Sequence, residues 1–255
     1  MKIVNQKSTR LFIILAMIFI ANAIIAEMIG VKIFSLEPTL GLAPLDWNLF
    51  GEKGSLMFTC GVILWPIVFT ITDILNEYFG RKGVRFLSII TACLISYGFA
   101  IIYLAIVLTP ASWWLGVNMD KGVPDMQAAF SAIFGQGLWI ICGSLVAFLI
   151  GQIIDAYTFY KIKKWTGEGH FYLRAILSTV ISQFIDSFVV LYIAFVIGPQ
   201  HWPLSRFFAI GTVNFIYKGM AAIVLIPLLG LAHKWIDNYL GKAESAELRA
   251  AAMEE

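Results

Sequence analysis

The sequence predicts an all-α membrane protein with six transmembrane helices. Of its 255 residues, 60% are hydrophobic and only 13% are charged, too little polar surface for a soluble domain. Apolar runs of roughly 20 residues, enough to cross a bilayer, recur along the chain. Basic residues gather in alternate connections, the asymmetry that sets orientation in a membrane.

The first span is expected at about 11–29 and carries Asn22 and Glu27. Its basic leader invites comparison with a secretion signal. The run has crossing length and no small-residue cleavage site, so a retained helix is expected. A linker over 30–54, with Pro38, Pro44 and Trp47, reads as a re-entrant or interfacial segment. The second span starts near Ser55, contains Pro66 and ends in the polar stretch 73–83; the third covers about 84–108. A loop with Trp113 and Trp114 leads to the fourth, about 126–155, which closes on Tyr157, Tyr160, Lys161, Lys163 and Lys164. The fifth, about 173–197, holds Gln183 and Asp186, and the sixth, about 206–232, holds Asn214 and Lys218. The Ala/Glu-rich end reads as a frayed helix on the membrane surface.

One side collects Lys2, Lys7, Arg10, Arg81, Lys82, Arg85, Lys161, Lys163, Lys164, Arg174, Lys234, Lys242 and Arg249. The other has only Lys32, Lys53, Lys121 and Arg206. By the positive-inside rule both termini are cytoplasmic. The organisation is then a cytoplasmic N-terminus (1–10), a six-span domain (11–235) and a polar cytoplasmic tail (236–255). No basic block points to nucleic acid. Cys60, Cys93 and Cys142 lie in apolar runs and read as small hydrophobes. His170, His201 and His233 share no ligand spacing, so neither metal nor cofactor is assigned.

Asp73 and Glu77 emerge from an apolar helix on one face, with Arg81 a turn further along. Ionisable groups inside spans mark solute or proton pathways unless something pairs with them. Glu77 and Arg81 are an i, i+4 pair in the favourable order, a structural explanation for Glu77. Asp73 has no basic partner at a matching spacing. Two ionised carboxylates so close would repel, which makes one a candidate proton carrier. Asp73, Tyr78, Arg81 and Lys82 recur at a constant offset as Asp155, Tyr160, Lys163 and Lys164. An internal repeat would produce that, and so would two unrelated helix ends. Asp73, Glu77 and Asp155 are the gate or proton-coupling candidates.

Depth supplies the binding candidates. At about 1.5 Å per residue, twelve residues reach about 18 Å, near the centre of a roughly 30 Å core. Asp186 lies that far from Arg174, Lys218 from Arg206 and Asn22 from Arg10. An unpaired charge there costs at least about 2.5–3.5 kcal/mol. Asp186 and Lys218 could face one another merely to fix helix packing. With Asn22 and Asn214 the set spans three helices, more than packing needs. Gln183 shares a helix face with Asp186, as Gln152 does with Asp155. The candidate binding set is Asn22, Gln183, Asp186, Asn214 and Lys218.

Thr72-Asp73, Asn76-Glu77-Tyr78-Phe79-Gly80-Arg81-Lys82, Arg174-Ala175, Ser178-Thr179, Ser182-Gln183 and Ile185-Asp186 resemble the queuosine precursor transporter family, once grouped as vitamin uptake transporters. The resemblance implies import of 7-deazaguanine bases, precursors of the tRNA nucleoside queuosine, across the bacterial inner membrane. It implies a fold similar to the substrate-binding components of energy-coupling-factor transporters. Those dock on a coupling module through a small-residue repeat in the first helix. Ala16, Ala21, Ala23 and Ala26 do not give that Ala-x-x-x-Ala spacing, which argues against dependence on such a module. The expected partners are a purine-like solute and the bilayer, with a homo-oligomer left open. The alternatives are a binding component for another vitamin and, further off, an intramembrane enzyme. Against an enzyme, the chain has no His-Glu-x-x-His motif and no Gly-x-Ser-x-Gly elbow.

Overall fold

A computed structural model describes residues 6–135, 137–167 and 170–254. Its helices in chain order are α1 (Lys7–Ile29), α2 (Leu36–Thr39), α3 (Trp65–Val107), α4 (Met126–Phe134), α5 (Leu138–Thr166), α6 (Phe171–Leu191), α7 (Leu204–Leu240) and α8 (Lys242–Glu254). A wide helical turn, Tyr192–Ile197, extends α6. Among the described residues, five helical stretches are long and apolar enough to cross a membrane: Lys7–Ile29, Trp65–Val107, Met126–Thr166, Phe171–Ile197 and Leu204–Leu240.

The difference from the expected six lies in α3. The second and third expected spans are merged into this helix of 43 residues. Straight, it would be about 65 Å long, twice a hydrocarbon core. It is interrupted at Gly80, where φ is 67° and ψ is 176°. That backbone region is essentially restricted to glycine. The break divides α3 into an arm ending at Phe79 and one beginning at Arg81. No loop marks the boundary, because helix-compatible residues flank the glycine on both sides.

Burial is inverted relative to a soluble domain. Exposed positions are apolar, as with Met17, Ile25, Phe86, Leu104, Val224 and Leu231. Many buried ones are polar, among them Thr72, Glu77, Gln152, Asp155, Arg174 and Ser182. An apolar outside suits lipid, and polar groups within need partners there. The core joins Leu11, Leu15, Phe19 and Ala23 of α1 to Val68, Leu75 and Tyr78 of α3 and to Phe148 and Phe159 of α5. Gly143, Ala147 and Gly151 form a small-residue stripe on α5 against antiparallel α6. A Cβ on Gly143 would sit 3.1 Å from the Val190 carbonyl. Such stripes let helix backbones approach closely in membranes, and here they bring the polar residues of α5 and α6 into reach.

The linker expected to be re-entrant or interfacial folds as two short antiparallel ribbons. β1 (Ile33–Ser35) pairs with β4 (Met57–Thr59), and β2 (Trp47–Leu49) pairs with β3 (Glu52–Gly54). Phe50 and Gly51 both have positive φ, 53° and 81°, as a two-residue hairpin turn requires. The ribbons dock on α7 through Phe58 against Tyr217 and through Ser205, which donates to Glu52 at 2.9 Å. Inside the linker, Glu37 accepts from the Leu56 and Leu45 amides at 2.6 and 3.2 Å. Burial pushes this carboxyl up. The backbone N–H groups of Leu56, Glu37 itself and Leu45 outweigh that and hold it below its usual value.

The tail is not frayed. After Gly241, at φ 90°, α8 folds back along α3, burying Ser245 and Ala252. Asp237 organises the junction, accepting from Tyr78 at 2.8 Å and from Ser245, with His233 and Arg249 at 3.3 and 3.5 Å.

Two outcomes are expected. Gly80→Ala forces a side chain into glycine's conformation and should destabilise the protein by about 1–3 kcal/mol, read as a lower unfolding midpoint in detergent. Glu37 contributes stability above the unfolded glutamate value and loses it as pH falls through its lowered folded value. Glu37→Gln should therefore speed amide exchange at Leu45 and Leu56 near neutral pH and matter little in strong acid.

Candidate functional site

Three helices build a buried polar layer. On α3, Thr72, Asp73, Asn76 and Glu77 recur on one face, and none is more than 4% exposed. α5 contributes Gln152, Asp155 and Lys163, and α6 contributes Arg174, Ser178, Thr179, Ser182 and Gln183.

Glu77 is closed by two cations from other helices. One Arg174 terminal nitrogen lies 3.1 and 3.0 Å from its two carboxylate oxygens. Lys163 Nζ lies 3.3 Å from Oε2 and donates to the Glu77 backbone carbonyl at 2.9 Å. The break at Gly80 explains that second bond, since carbonyls at a helix end need outside donors. The expected Glu77–Arg81 helix-end pair is therefore not what closes Glu77. Arg81 lies past the break with its guanidinium 4.4 Å from the Tyr160 ring centroid. Lys163 and Arg174 read in the sequence as orientation charges in connections. Burial to 2% and 0% exposure shows that both serve inside the bundle.

Asp73 and Asp155 are met differently. Thr179 donates to Asp73 at 3.3 Å; the Ser178 hydroxyl lies 3.4 Å from Asp73 and 3.2 Å from the Ala175 carbonyl, and the Ser182 hydroxyl 3.1 Å from Asp155 and 3.0 Å from the Thr179 carbonyl. The two carboxylates lie close enough to feel one another's charge. The two echoing segments thus meet in space. Among the described residues no Lys or Arg pairs with either of these aspartates.

A cleft opens beside this layer between α3, α6 and α7. Pro66, Phe69, Thr70 and Asp73 line one side, Thr179 and Gln183 another, and Lys218 and Gly219 the third. The cavity volume within it is about 30 Å³, so a solute larger than water enters only as its walls part. Lys218 Nζ stands 2.5 Å from Asp186 Oδ2, a pairing that equal depth left open. The Gln183 amide nitrogen is buried with no hydrogen-bond partner among the described residues.

The fold therefore brings Asp73, Gln183, Asp186 and Lys218 together, with Glu77 and Asp155 in the layer behind. It does not bring in Asn22 or Asn214. Their amides donate to the Ile18 and Ile210 carbonyls of their own helices at 2.8 and 3.1 Å, and neither residue lines the cleft. Glu27 of α1, which spacing alone does not single out, accepts from Ser144 at 2.9 Å and lies within electrostatic reach of Asp186.

An apolar exterior around compensated internal charges and a cleft defines a multi-pass membrane protein with the interior of a carrier. The family described as "Putative vitamin uptake transporter" matches residues 59–232, and the chain belongs to that family. It is 27% identical over 210 residues to a Bacillus subtilis protein named "Probable queuosine precursor transporter", covering 78% of this chain and 83% of the relative. It is 24% identical over 198 residues to the Escherichia coli "Queuosine precursor transporter", covering 76% and 81%. No solved structure matches.

Glu77→Gln strips the counter-charge from two buried cations. Breaking a buried pair in this way costs about 3–5 kcal/mol, so the variant should unfold at markedly lower temperature in detergent. Arg81→Ala should be far milder.

Proposed function

We propose that this protein imports queuosine precursors, 7-deazaguanine bases, across the bacterial inner membrane for salvage into tRNA, without chemistry on the solute. The two relatives' names support the substrate class. The cleft supports the mode of action. A guanine-like edge offers adjacent N–H donors that one carboxylate can accept together, while a carboxamide N–H can serve the ring carbonyl. Asp186 and Gln183, one turn apart on α6, supply those two groups. The observation that carries the reading is the unpartnered Gln183 amide in a cleft shared with Lys218, itself bound to Asp186.

On this reading the two arms of α3 cross separately, giving six crossings with both termini cytoplasmic and a fold like that of energy-coupling-factor binding components. Residues 1–10 and 236–255 then face the cytoplasm on either side of the transport domain, 11–235, which works without a coupling module. Asp73, Glu77 and Asp155 form the gating and coupling layer. Asn22 and Asn214 reach the solute only through rotation of α1 and α7 during the cycle.

Radiolabelled precursor supplied to cells unable to make queuosine should restore queuosine in tRNA only when the protein is present. No restoration removes the proposal. Replacing both partners, Asp186→Asn with Lys218→Met, removes the ion pair without stranding a buried charge. That variant should fold and lose uptake by at least about tenfold, as loss of a charged hydrogen bond implies. Full uptake would leave the pair a packing device.

A further inference from the structure

The layer around Asp73 and Asp155 holds more than a proton needs. In ionised form Asp73, Glu77 and Asp155 set three negative charges against the two positive charges of Lys163 and Arg174. The layer is short of one monovalent cation, and that shortfall sits at the two aspartates, because Glu77 takes both basic groups.

The oxygens around that position are also unmet. Among the described residues Asp155 Oδ2 and both amide atoms of Asn76 are buried with no hydrogen-bond partner, as is the Gln152 amide nitrogen. Gln152 adds a third oxygen. The Thr72 hydroxyl lies 3.0 Å from the Val68 carbonyl and 2.9 Å from the Gln152 carboxamide oxygen. Its single proton serves only one acceptor. A carboxamide is nearly symmetric in shape, so with that proton on Val68 the amide turns and its NH2 donates to Thr72. The Gln152 oxygen then joins the unmet acceptors. Among the described residues, Asp73 itself is met by two long contacts, from Ser178 and Thr179.

A proton shared by Asp73 and Asp155 would answer the charge and leave the amide oxygens of Asn76 and Gln152 without a donor. A small metal cation answers both, since hard cations take carboxylate, amide and hydroxyl oxygens together. The position also suits one. Asn76 is a turn before the break at Gly80, and interrupted helices recur at coupling-ion sites.

We propose that Asp73, Asp155, Asn76 and Gln152, with the hydroxyls of Ser178 and Ser182, form a binding site for one sodium ion between α3, α5 and α6. The site adjoins the cleft through Asp73, so sodium and solute report on each other's occupancy. Binding of the ion stands on the layer alone. Its link to uptake rests on the transport reading.

The test uses the purified full chain in detergent, without solute, at fixed pH and ionic strength. Sodium replacing choline should raise the unfolding midpoint by several degrees in a saturable way, and potassium should not. Asn76→Ala and Ser182→Ala, which keep both carboxylates, should raise the half-saturating sodium concentration at least tenfold; Asp155→Asn should abolish the shift. A midpoint indifferent to sodium, or one that rises only on acidification, overturns the site in favour of a proton. So does an unchanged sodium response in all three variants. In cells, replacing external sodium by choline should cut precursor uptake at least tenfold. Unchanged uptake overturns the coupling alone, and absence of any uptake in sodium overturns the transport reading instead.

Discussion

A charge inside an apolar bundle must be met inside it, and that constraint arranges this protein's interior. The Glu77 carboxylate is the fixed point. It draws Arg174 from α6 and Lys163 from α5 to one place, and Lys163 also satisfies the carbonyl left open by the helix break at Gly80. The break and the charge cluster are therefore one feature. With Glu77 saturated, Asp73 and Asp155 are left to hydroxyl groups and to each other, and Asp186 is left to Lys218.

This division gives the layer two kinds of carboxylate. Glu77 is over-compensated and ties three helices together at the end of the first α3 arm. Asp73, Asp155 and Asp186 are lightly held or held by one exchangeable partner, and all border or back the cleft. Side chains that must change partners during transport belong to the second kind. The tail reinforces the first: Lys163 also reaches the Arg249 carbonyl of α8 at 3.4 Å, and Tyr78 bonds Asp237. Residues that read as a frayed surface helix thus brace the helix break.

Much of this was legible from spacing. Hydropathy located the helices, and axial rise set Asp186 and Lys218 at similar height, because both lie equally far from charged interface positions; their pairing comes from the structure. Axial rise fixes height and says nothing about azimuth, and the Asn22 and Asn214 amides turn back onto their own helices. The i, i+4 rule offered Arg81 to Glu77 on the assumption of an unbroken helix. Gly80 breaks it within the polar stretch where the second expected span ends, but a glycine there does not say by itself that its φ will be positive. Lys163 and Arg174 were counted as orientation charges because they flank spans. Only the three-dimensional packing of α5 and α6 on α3 shows that they point inward. The linker's ribbons were hidden by their brevity.

The central claim is that the solute is held between α3, α6 and α7 by Asp186, now paired with Lys218, and by the Gln183 amide. An experimental structure with a 7-deazaguanine base bound tests it most directly. The account predicts the ring in the cleft, its donor edge on Asp186, its carbonyl on the Gln183 amide, and Lys218 withdrawn from the carboxylate. A base bound elsewhere, with the Asp186–Lys218 pair intact, would contradict it.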